Sequence, residues 1–370
     1  MAKHQKHTKL ELRNNDNFAP NEIAILGTKC TVISNLVAQV SQKLSNYKLA
    51  YFDASHSDTV EKLAVEKFTF HHKGVTEISQ NTEVNKFNQR VQFSQYDFVF
   101  INGNHYQGAK QILILDQQKE ASVLKRLNQL NNIQFIIKLE KKSNYFDFLE
   151  EKYPQIKNLL CYHISEVEKI SKHIENLIQE KIAPIQGLVL AGGKSLRMGT
   201  DKGTLQFYGK NQREVAIELL EQNHLKTFLS VREEQEVAIE NKITDKFIGL
   251  GPFGAICSAF QKNPNVAWLV LATDLPFVTN SVIQLLLKHR NPSKAATTIK
   301  GKNKEFPEPL ITIWEPKSYP LMLNYLAQGY SCPRKVLINS EVEIIEIDDE
   351  LIRNINTPEE FKAAQKEINE

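Results

Sequence analysis

The chain reads as an α/β protein of two three-layer α/β/α domains, each built on a mostly parallel sheet. Three observations predict this. Short apolar runs alternate with amphipathic stretches almost throughout, which is the pattern of βαβ units. The alternation occurs twice, from about Asn21 to Glu180 and again from about Ile185 to the C-terminus. The length of 370 residues also exceeds the ~250–300 at which single hydrophobic cores stop growing.

In the first block, Asn21–Leu26 is an apolar strand. A short turn, Gly27-Thr28-Lys29-Cys30-Thr31, leads into a helix from Val32 to Leu44. Two further apolar strands are expected over Tyr96–Gly103 and Lys110–Asp116. Ser165–Lys181 carries Val167, Ile170, Ile174, Leu177 and Ile178 on one helical face, with Ser165 suited to the N-cap. Ile182-Ala183-Pro184 ends that helix, because the residue before proline disfavours the α region. The expected division is therefore a flexible tail over residues 1–20, one domain over 21–183 and a second over 184–370.

The second block opens with an apolar run, Ile185–Leu190, that stops at Ala191-Gly192-Gly193. A cationic segment with Lys194, Arg197, Gly199 and Lys202 follows. Leu205–Phe207, a turn at Gly209 and a helix from Arg213 to Gln222 come next, then a strand over Lys226–Val231. Asp245 and the turn Gly249–Gly254 precede a helix starting at Ala255. The most apolar strand, Ala267–Ala272, delivers Thr273-Asp274-Leu275-Pro276 at its carboxyl end. Asp274 lies too far upstream to cap the next helix, Ser281–His289. Near the C-terminus, Thr357, Pro358 and Glu360 have the spacing of a capping box with proline at the first helical position.

Composition excludes several function classes. Apolar content is 41% and charged content 24%, ordinary for a globular protein. A net charge of +3 is too small to imply nucleic acid or a membrane surface as partner. No apolar run approaches the ~20 residues of a membrane span, and the polar N-terminus lacks a signal-peptide core. Cys30, Cys161, Cys257 and Cys332 are widely spaced, which argues against a zinc site or disulfide scaffold and suits a reducing cytoplasm. His4 and His7 are read as part of a solvated tail, and the adjacent His71 and His72 as structural. His224 and His289 are read as surface residues near helix ends, and no Ser/His/Asp or Cys/His constellation is apparent.

An apolar strand opening into a glycine-rich, cationic loop is how an α/β protein cradles a nucleotide phosphate. Glycines let the backbone approach the phosphate, and cations neutralise it. In open α/β sheets the ligand lies beyond the carboxyl ends of the strands, where both Ala191-Gly192-Gly193 and Asp274 fall. A carboxylate there suits Mg²⁺, which prefers one or two carboxylates together with phosphate oxygens.

The stretch LVLAGGKSLRMGTDK, Leu188–Lys202, fits neither the P-loop pattern nor the Rossmann fingerprint. It resembles the signature of nucleotidyltransferases that activate sugars or cofactors, most of all the molybdenum cofactor guanylyltransferases (MobA-like). That resemblance implies a Rossmann-like nucleotidyltransferase domain that transfers GMP from GTP to molybdopterin and releases pyrophosphate, with Mg²⁺. It implies catalytic roles for Lys202, Arg197 and Asp274, with Asp274 on the metal. It implies nucleotide contacts from Leu190, Ala191, Gly192, Gly193, Ser230, Asp245 and Gly251. GPFGA, Gly251–Ala255, resembles the family's GPLAG turn, and TDLPF resembles its metal-binding motif. Arg353–Glu360 resembles N-I-N-T-P-E near the family's C-terminus and adds Asn354 and Asn356. Pro307–Leu310 and Ser331–Leu337 resemble acceptor-side segments, with Arg334 and Lys335 able to supply charge. Gly192-Gly193 favours GTP over CTP.

The chain departs from the family in two places. Asn211-Gln212-Arg213 stands where Pro-Leu is usual, and Ser230 stands for an asparagine near the base. A cytidylyltransferase, a sugar-phosphate nucleotidyltransferase and a non-catalytic molybdopterin-binding or adaptor protein therefore remain alternatives. Molybdoenzymes or other cofactor-biosynthesis proteins are the implied protein partners. The first block resembles the adaptor GTPase MobB with a worn P-loop. Its loop after Leu26 is short, and Asn102 replaces the acid of a Walker-B-like strand. That implies weak nucleotide binding or none.

Overall fold

The computed structural model describes residues 18–55, 67–70, 76–79, 86–191, 206–207, 209–235 and 239–369. The chain divides into two compact units, Met1–Lys181 and Ile182–Glu370.

The first unit is a six-stranded parallel sheet. Its strands are β1 (Glu22–Leu26), β2 (Leu49–Phe52), β5 (Phe98–Asn102), β6 (Gln111–Leu115), β7 (Ile133–Lys138) and β8 (Cys161–His163), in the order β2-β5-β1-β6-β7-β8. A separate antiparallel pair joins β3 (Lys67–Phe70) to β4 (Thr76–Ser79). Successive strand residues point to opposite faces, so both faces need covering. Ile23, Ile25, Phe98, Phe100, Ile112 and Ile114 pack under α1 (Cys30–Lys43) and α5 (Val167–Gln179). On the opposite face Leu26, Leu113, Leu115 and Ile136 meet Val123 of α3 (Glu120–Lys125) and Leu149 of α4 (Asp147–Lys152). Phe93 of α2 (Lys86–Phe93) joins Ala24, Val99 and Ile101 on that side. Three layers result.

Two expectations are corrected here. The flexible tail does not extend to residue 20: Phe18 and Ala19 are buried against Ala24, Val99 and Ile101. Ser165 does not cap α5, whose N-cap is Glu166. The Ser165 hydroxyl instead bonds His163 Nδ1 at 2.7 Å, while the Glu166 carboxylate accepts the backbone N–H of His163 at 2.7 Å.

The second unit has seven strands in the order β13-β12-β9-β14-β16-β15-β17. Their ranges are β9 (Ile185–Leu190), β12 (Thr227–Val231), β13 (Lys242–Thr244), β14 (Ala267–Ala272), β15 (Ala296–Gly301), β16 (Glu308–Trp314) and β17 (Val342–Ile347). Pairing is parallel except that β16 runs antiparallel to β14 and β15. A two-stranded ribbon, β10 (Gln206–Phe207) with β11 (Lys210–Asn211), turns at Gly209. One face packs under α6 (Gln212–Glu221) and α8 (Asn280–Lys288) through Leu220, Val282, Ile283 and Leu286. The other packs under α7 (Pro252–Lys262), α9 (Ser318–Ala327) and α10 (Pro333–Ile338) through Phe253, Ile256, Phe260, Met322 and Val336. The turn expected over Gly249–Gly254 ends earlier than that. α7 begins at Pro252, because proline's fixed φ suits the first helical position. Gly254 inside the helix cannot carry a side chain, since a Cβ there would stand 2.3 Å from the Phe247 carbonyl oxygen.

One buried ion pair anchors the start of this unit. Arg290 donates from Nε and Nη2 to the two Glu315 oxygens at 2.7 and 2.8 Å, and Nη2 also reaches the Ala183 carbonyl at 2.7 Å. The Glu315 side chain is 2% exposed. Breaking a buried pair from one side strands a charge, at about 3–5 kcal/mol. Arg290→Met is therefore expected to destabilise the second unit by about that much in denaturant melts. Arg290→Met with Glu315→Leu should recover most of the loss.

Candidate functional site

Four parallel strands, β9, β12, β13 and β14, bring their carboxyl ends to one edge of the second sheet. Leu190 and Ala191 close β9 there, and the Ala191 N–H donates to the Ser230 carbonyl at 3.3 Å. The Thr273 hydroxyl donates to the Leu190 carbonyl at 3.4 Å, tying the end of β14 to the end of β9. Gly192, Gly193, Lys194, Arg197, Gly199 and Lys202 lie outside the described residues, as do His4, His7, His71 and His72.

Ser230 and Asp245 form one polar pair on this edge. The buried Ser230 hydroxyl donates to Asp245 Oδ1 at 2.8 Å, and the Asp245 N–H donates to the Val231 carbonyl at 2.9 Å. Burial pushes the Asp245 carboxyl above its usual range, although Ser230 and Arg232 pull the other way. Two residues not anticipated from the sequence complete the corner. Gln235 donates from Nε2 to the Ala191 carbonyl at 3.1 Å and accepts the Arg232 N–H at 2.8 Å. The only sequence signal for them is their position just after β12, on the loop beyond a strand's carboxyl end.

Gly251 holds φ +56° as the N-cap of α7, with open space where a Cβ would be. It is the left-handed hinge between β13 and the helix, a conformation that glycine adopts without strain.

Asp274 follows β14. Glu308, the first residue of β16, lies within electrostatic range of Asp274. Burial raises the Glu308 carboxyl above its ordinary range, Arg334 lowers it, and the negative charge of Asp274 raises it further. Arg334 donates from Nη2 to Glu308 at 3.3 Å and from Nε to the Pro307 carbonyl at 3.3 Å. Glu308 as a neighbour of Asp274 was not evident from the sequence, because the two sit 34 positions apart and meet only once β16 folds against β14. Lys335 turns elsewhere, over the Tyr330 ring at 5.0 Å.

The segment Arg353–Glu360 returns to the same place. The Ile355 N–H donates to the Asp274 carbonyl at 2.9 Å, so Asn354 and Asn356 flank a residue bound to the Asp274 backbone. The Asn354 Oδ1 atom is buried and accepts no hydrogen bond from the described residues. Behind it, α11 (Pro358–Asn369) carries the capping box: the Glu360 N–H donates to the Thr357 hydroxyl at 3.2 Å, and the Glu360 carboxylate accepts from the Asn356 and Thr357 N–H groups at 2.6 and 3.2 Å. Arg353 stacks 4.1 Å from the Phe277 ring centre. The structure thus brings Leu190, Ala191, Ser230, Asp245, Asp274, Asn354 and Asn356 to the strand ends or to segments bonded there. Gly251 serves as the hinge into α7.

This geometry gives a testable sign. A carboxyl whose pKa is raised by folding opposes stability above about pH 4, where the unfolded carboxyl ionises. Asp245→Asn keeps an acceptor for Ser230 and removes that buried charge. It is expected to raise the melting temperature at pH 7 and to leave it nearly unchanged at pH 3. A fall at pH 7 would show that the ionised carboxylate stabilises the fold.

A family described as the MobA-like NTP transferase domain matches residues 187–343. The "Molybdenum cofactor biosynthesis bifunctional protein" of Synechocystis sp. is 32% identical over 183 residues, which are 48% of this chain and 53% of that protein. The match therefore spans about half the length of that relative. A "Probable molybdenum cofactor guanylyltransferase" of Flavobacterium johnsoniae is 25% identical over 177 residues, covering 47% of this chain and 92% of that protein. Among solved structures, "Molybdopterin-guanine dinucleotide biosynthesis protein A" from Archaeoglobus fulgidus is similar at 26% identity and a TM-score of 0.43, covering 50% of this chain and 98% of that one. The C-terminal half of this chain, from Gly187 through Glu343, is a MobA-like nucleotidyltransferase domain.

Proposed function

We propose that the chain transfers GMP from GTP to the molybdenum cofactor and releases pyrophosphate. The observation that carries this reading is the convergence on Asp274. The strand end, Glu308 and the Asn354–Asn356 segment all meet it, beside a strand that opens into LAGGKSLRMG. A phosphate oxygen of molybdopterin attacks the α-phosphorus of GTP, and the bond to the β-phosphate oxygen breaks. The attacking group is already an anion, so the protein needs neither a nucleophile nor a general base. Its work is positioning and charge neutralisation.

Asp274 suits a divalent cation, since it follows a strand at the ligand edge and has a second carboxylate, Glu308, within electrostatic range. Mg²⁺ held there would draw charge from the phosphates. Lys202 and Arg197 are assigned to the triphosphate, with Gly192 and Gly193 giving backbone contacts. Ser230 and Asp245 are assigned to the nucleoside, where their hydrogen-bonded pair offers an acceptor beside the end of β9. Arg334, anchored on Glu308, is assigned to the acceptor side. Molybdoenzymes that receive the product are the proposed protein partners, and the cytoplasm is the proposed compartment. Among the described residues no helix is long and apolar enough to cross a membrane.

The first unit is proposed as a MobB-like domain that binds nucleotide weakly or not at all. Thr28 donates its hydroxyl to Asp116 at 2.8 Å, and Asn102 donates to Asp53 at 2.8 Å. The side chains at the loop and at the metal-acid position are thus each engaged by a carboxylate of the same unit.

Melting shifts with GTP, CTP, ATP and UTP, each with Mg²⁺, test the reading. A ligand at 100 times its Kd adds roughly 2.7 kcal/mol. A shift with GTP, abolished in Asp274→Asn along with a loss of turnover of about a hundredfold or more, is the expected result. A preference for CTP or UTP would point to another acceptor. Turnover unchanged in Asp274→Asn would remove Asp274 from the metal.

A further inference from the structure

The structure assembles a cysteine–histidine pair in the first unit that sequence inspection did not reveal. Cys30 is the first residue of α1, and His105 lies on the loop after β5, 75 positions away. The Cys30 sulfur stands 3.4 Å from His105 Nε2. Asn104 donates from Nδ2 toward the same sulfur at 3.6 Å and to the Thr28 carbonyl at 2.8 Å.

Each partner is held from behind. The Asn104 N–H donates to the Asn102 side chain at 3.1 Å, and Arg126 donates to the Asn104 carbonyl from Nε and Nη2 at 3.2 and 2.8 Å. The His105 N–H donates to the Asn102 carbonyl at 3.0 Å. Asp53 Oδ1 lies 3.8 Å from His105 Nε2, while its two oxygens accept from Tyr51, Asn102 and the Ala54 N–H at 2.7 to 2.8 Å. The Tyr51 phenol is held neutral by burial and by the Asp53 charge. Other charged groups around the pair are Lys29, which precedes Cys30, and Asp116, bonded to Thr28. No acidic residue occupies the first turn of α1.

A thiol within hydrogen-bond reach of an imidazole is the pairing that activates a nucleophile. The N-terminus of a 14-residue helix with no acidic first turn favours the thiolate. We propose that Cys30 is a reactive thiolate at the carboxyl-end edge of the first sheet, and that it undergoes exchange with low-molecular-weight disulfides. His105 takes the thiol proton. The thiolate then attacks one sulfur of the disulfide, a new S–S bond forms to Cys30, the original S–S bond breaks, and the other half leaves as a thiolate. Electrons and atoms balance without another oxidant. The resulting adduct would sit against Gly27–Lys29, where the turn enters α1.

The other cysteines supply an internal control. Cys161 and Cys332 are exposed, whereas Cys30 is only half-buried, so accessibility alone ranks Cys30 behind both. Cys257 is buried, and burial pushes its thiol up to about 12. The full chain is treated with a substoichiometric aromatic disulfide, 5,5′-dithiobis(2-nitrobenzoic acid), at pH 6 and mapped by peptide mass spectrometry. Cys30 is expected to react roughly fivefold or more faster than Cys161 and Cys332, the gain in thiolate fraction outweighing its lower intrinsic nucleophilicity. His105→Asn should bring Cys30 down to the rate of the other two, with their rates and the melting temperature unchanged. Asn104→Ala should give a partial loss. Labelling of Cys161 or Cys332 ahead of Cys30, or a Cys30 rate unmoved by His105→Asn, overturns the proposal.

Discussion

Parallel pairing is the constraint on which both units depend. A parallel strand must be followed by a crossover before its neighbour can begin, so helices are carried to both faces and the strands between them are buried on both sides. It also puts the carboxyl ends of adjacent strands on one edge, where the loops emerge together. β9, β12, β13 and β14 share that edge in the second unit, and β1, β2, β5 and β6 in the first. Residues distant in sequence meet there because the topology leaves the chain few other places to put polar side chains.

The antiparallel insertion of β16 does something that a wholly parallel sheet could not. It runs its amino end to the edge where β14 has its carboxyl end, and so brings Glu308 within electrostatic range of Asp274. Two carboxylates in a half-buried place repel one another, and burial sharpens the repulsion. Arg334 offsets part of it. The C-terminal segment adds a backbone clamp through Ile355, fixed by the capping box of α11. Local capping chemistry at Thr357 and Glu360 thereby bears on the position of a residue more than eighty positions earlier.

Much of this was legible from the chain alone. β9 and β14 are short, bounded apolar runs, and the capping box is a local pattern whose spacing specifies its own hydrogen bonds. What escaped was non-local or competitive. Ser165 has the right side chain for an N-cap, but His163 competes for its hydroxyl and Glu166 takes the position. Phe18 falls in a polar N-terminal stretch, and only the folded sheet supplies Val99 and Ile101 to bury it. Gln235 and the Cys30–His105 pair depend on loops whose paths are set by packing rather than by periodicity. Lys202, Arg197, Gly192 and Gly193 carry the resemblance in the sequence and lie outside the described residues.

The two edges share an architecture and differ in how their acids are treated. In the first unit Asp53 accepts from a phenol, an amide and a backbone N–H, and Asp116 accepts a hydroxyl. In the second unit Asp245 accepts a hydroxyl and Glu308 accepts from Arg334 and the Leu310 N–H, and burial disfavours the charged form of both. Natural proteins keep such costly charges where they act, and binding then relieves what folding could not. On this argument the second edge would gain stability on taking up a divalent cation together with a phosphate-bearing ligand. In the first unit the carboxylates are engaged by neighbouring donors, and the chemistry proposed above falls to Cys30.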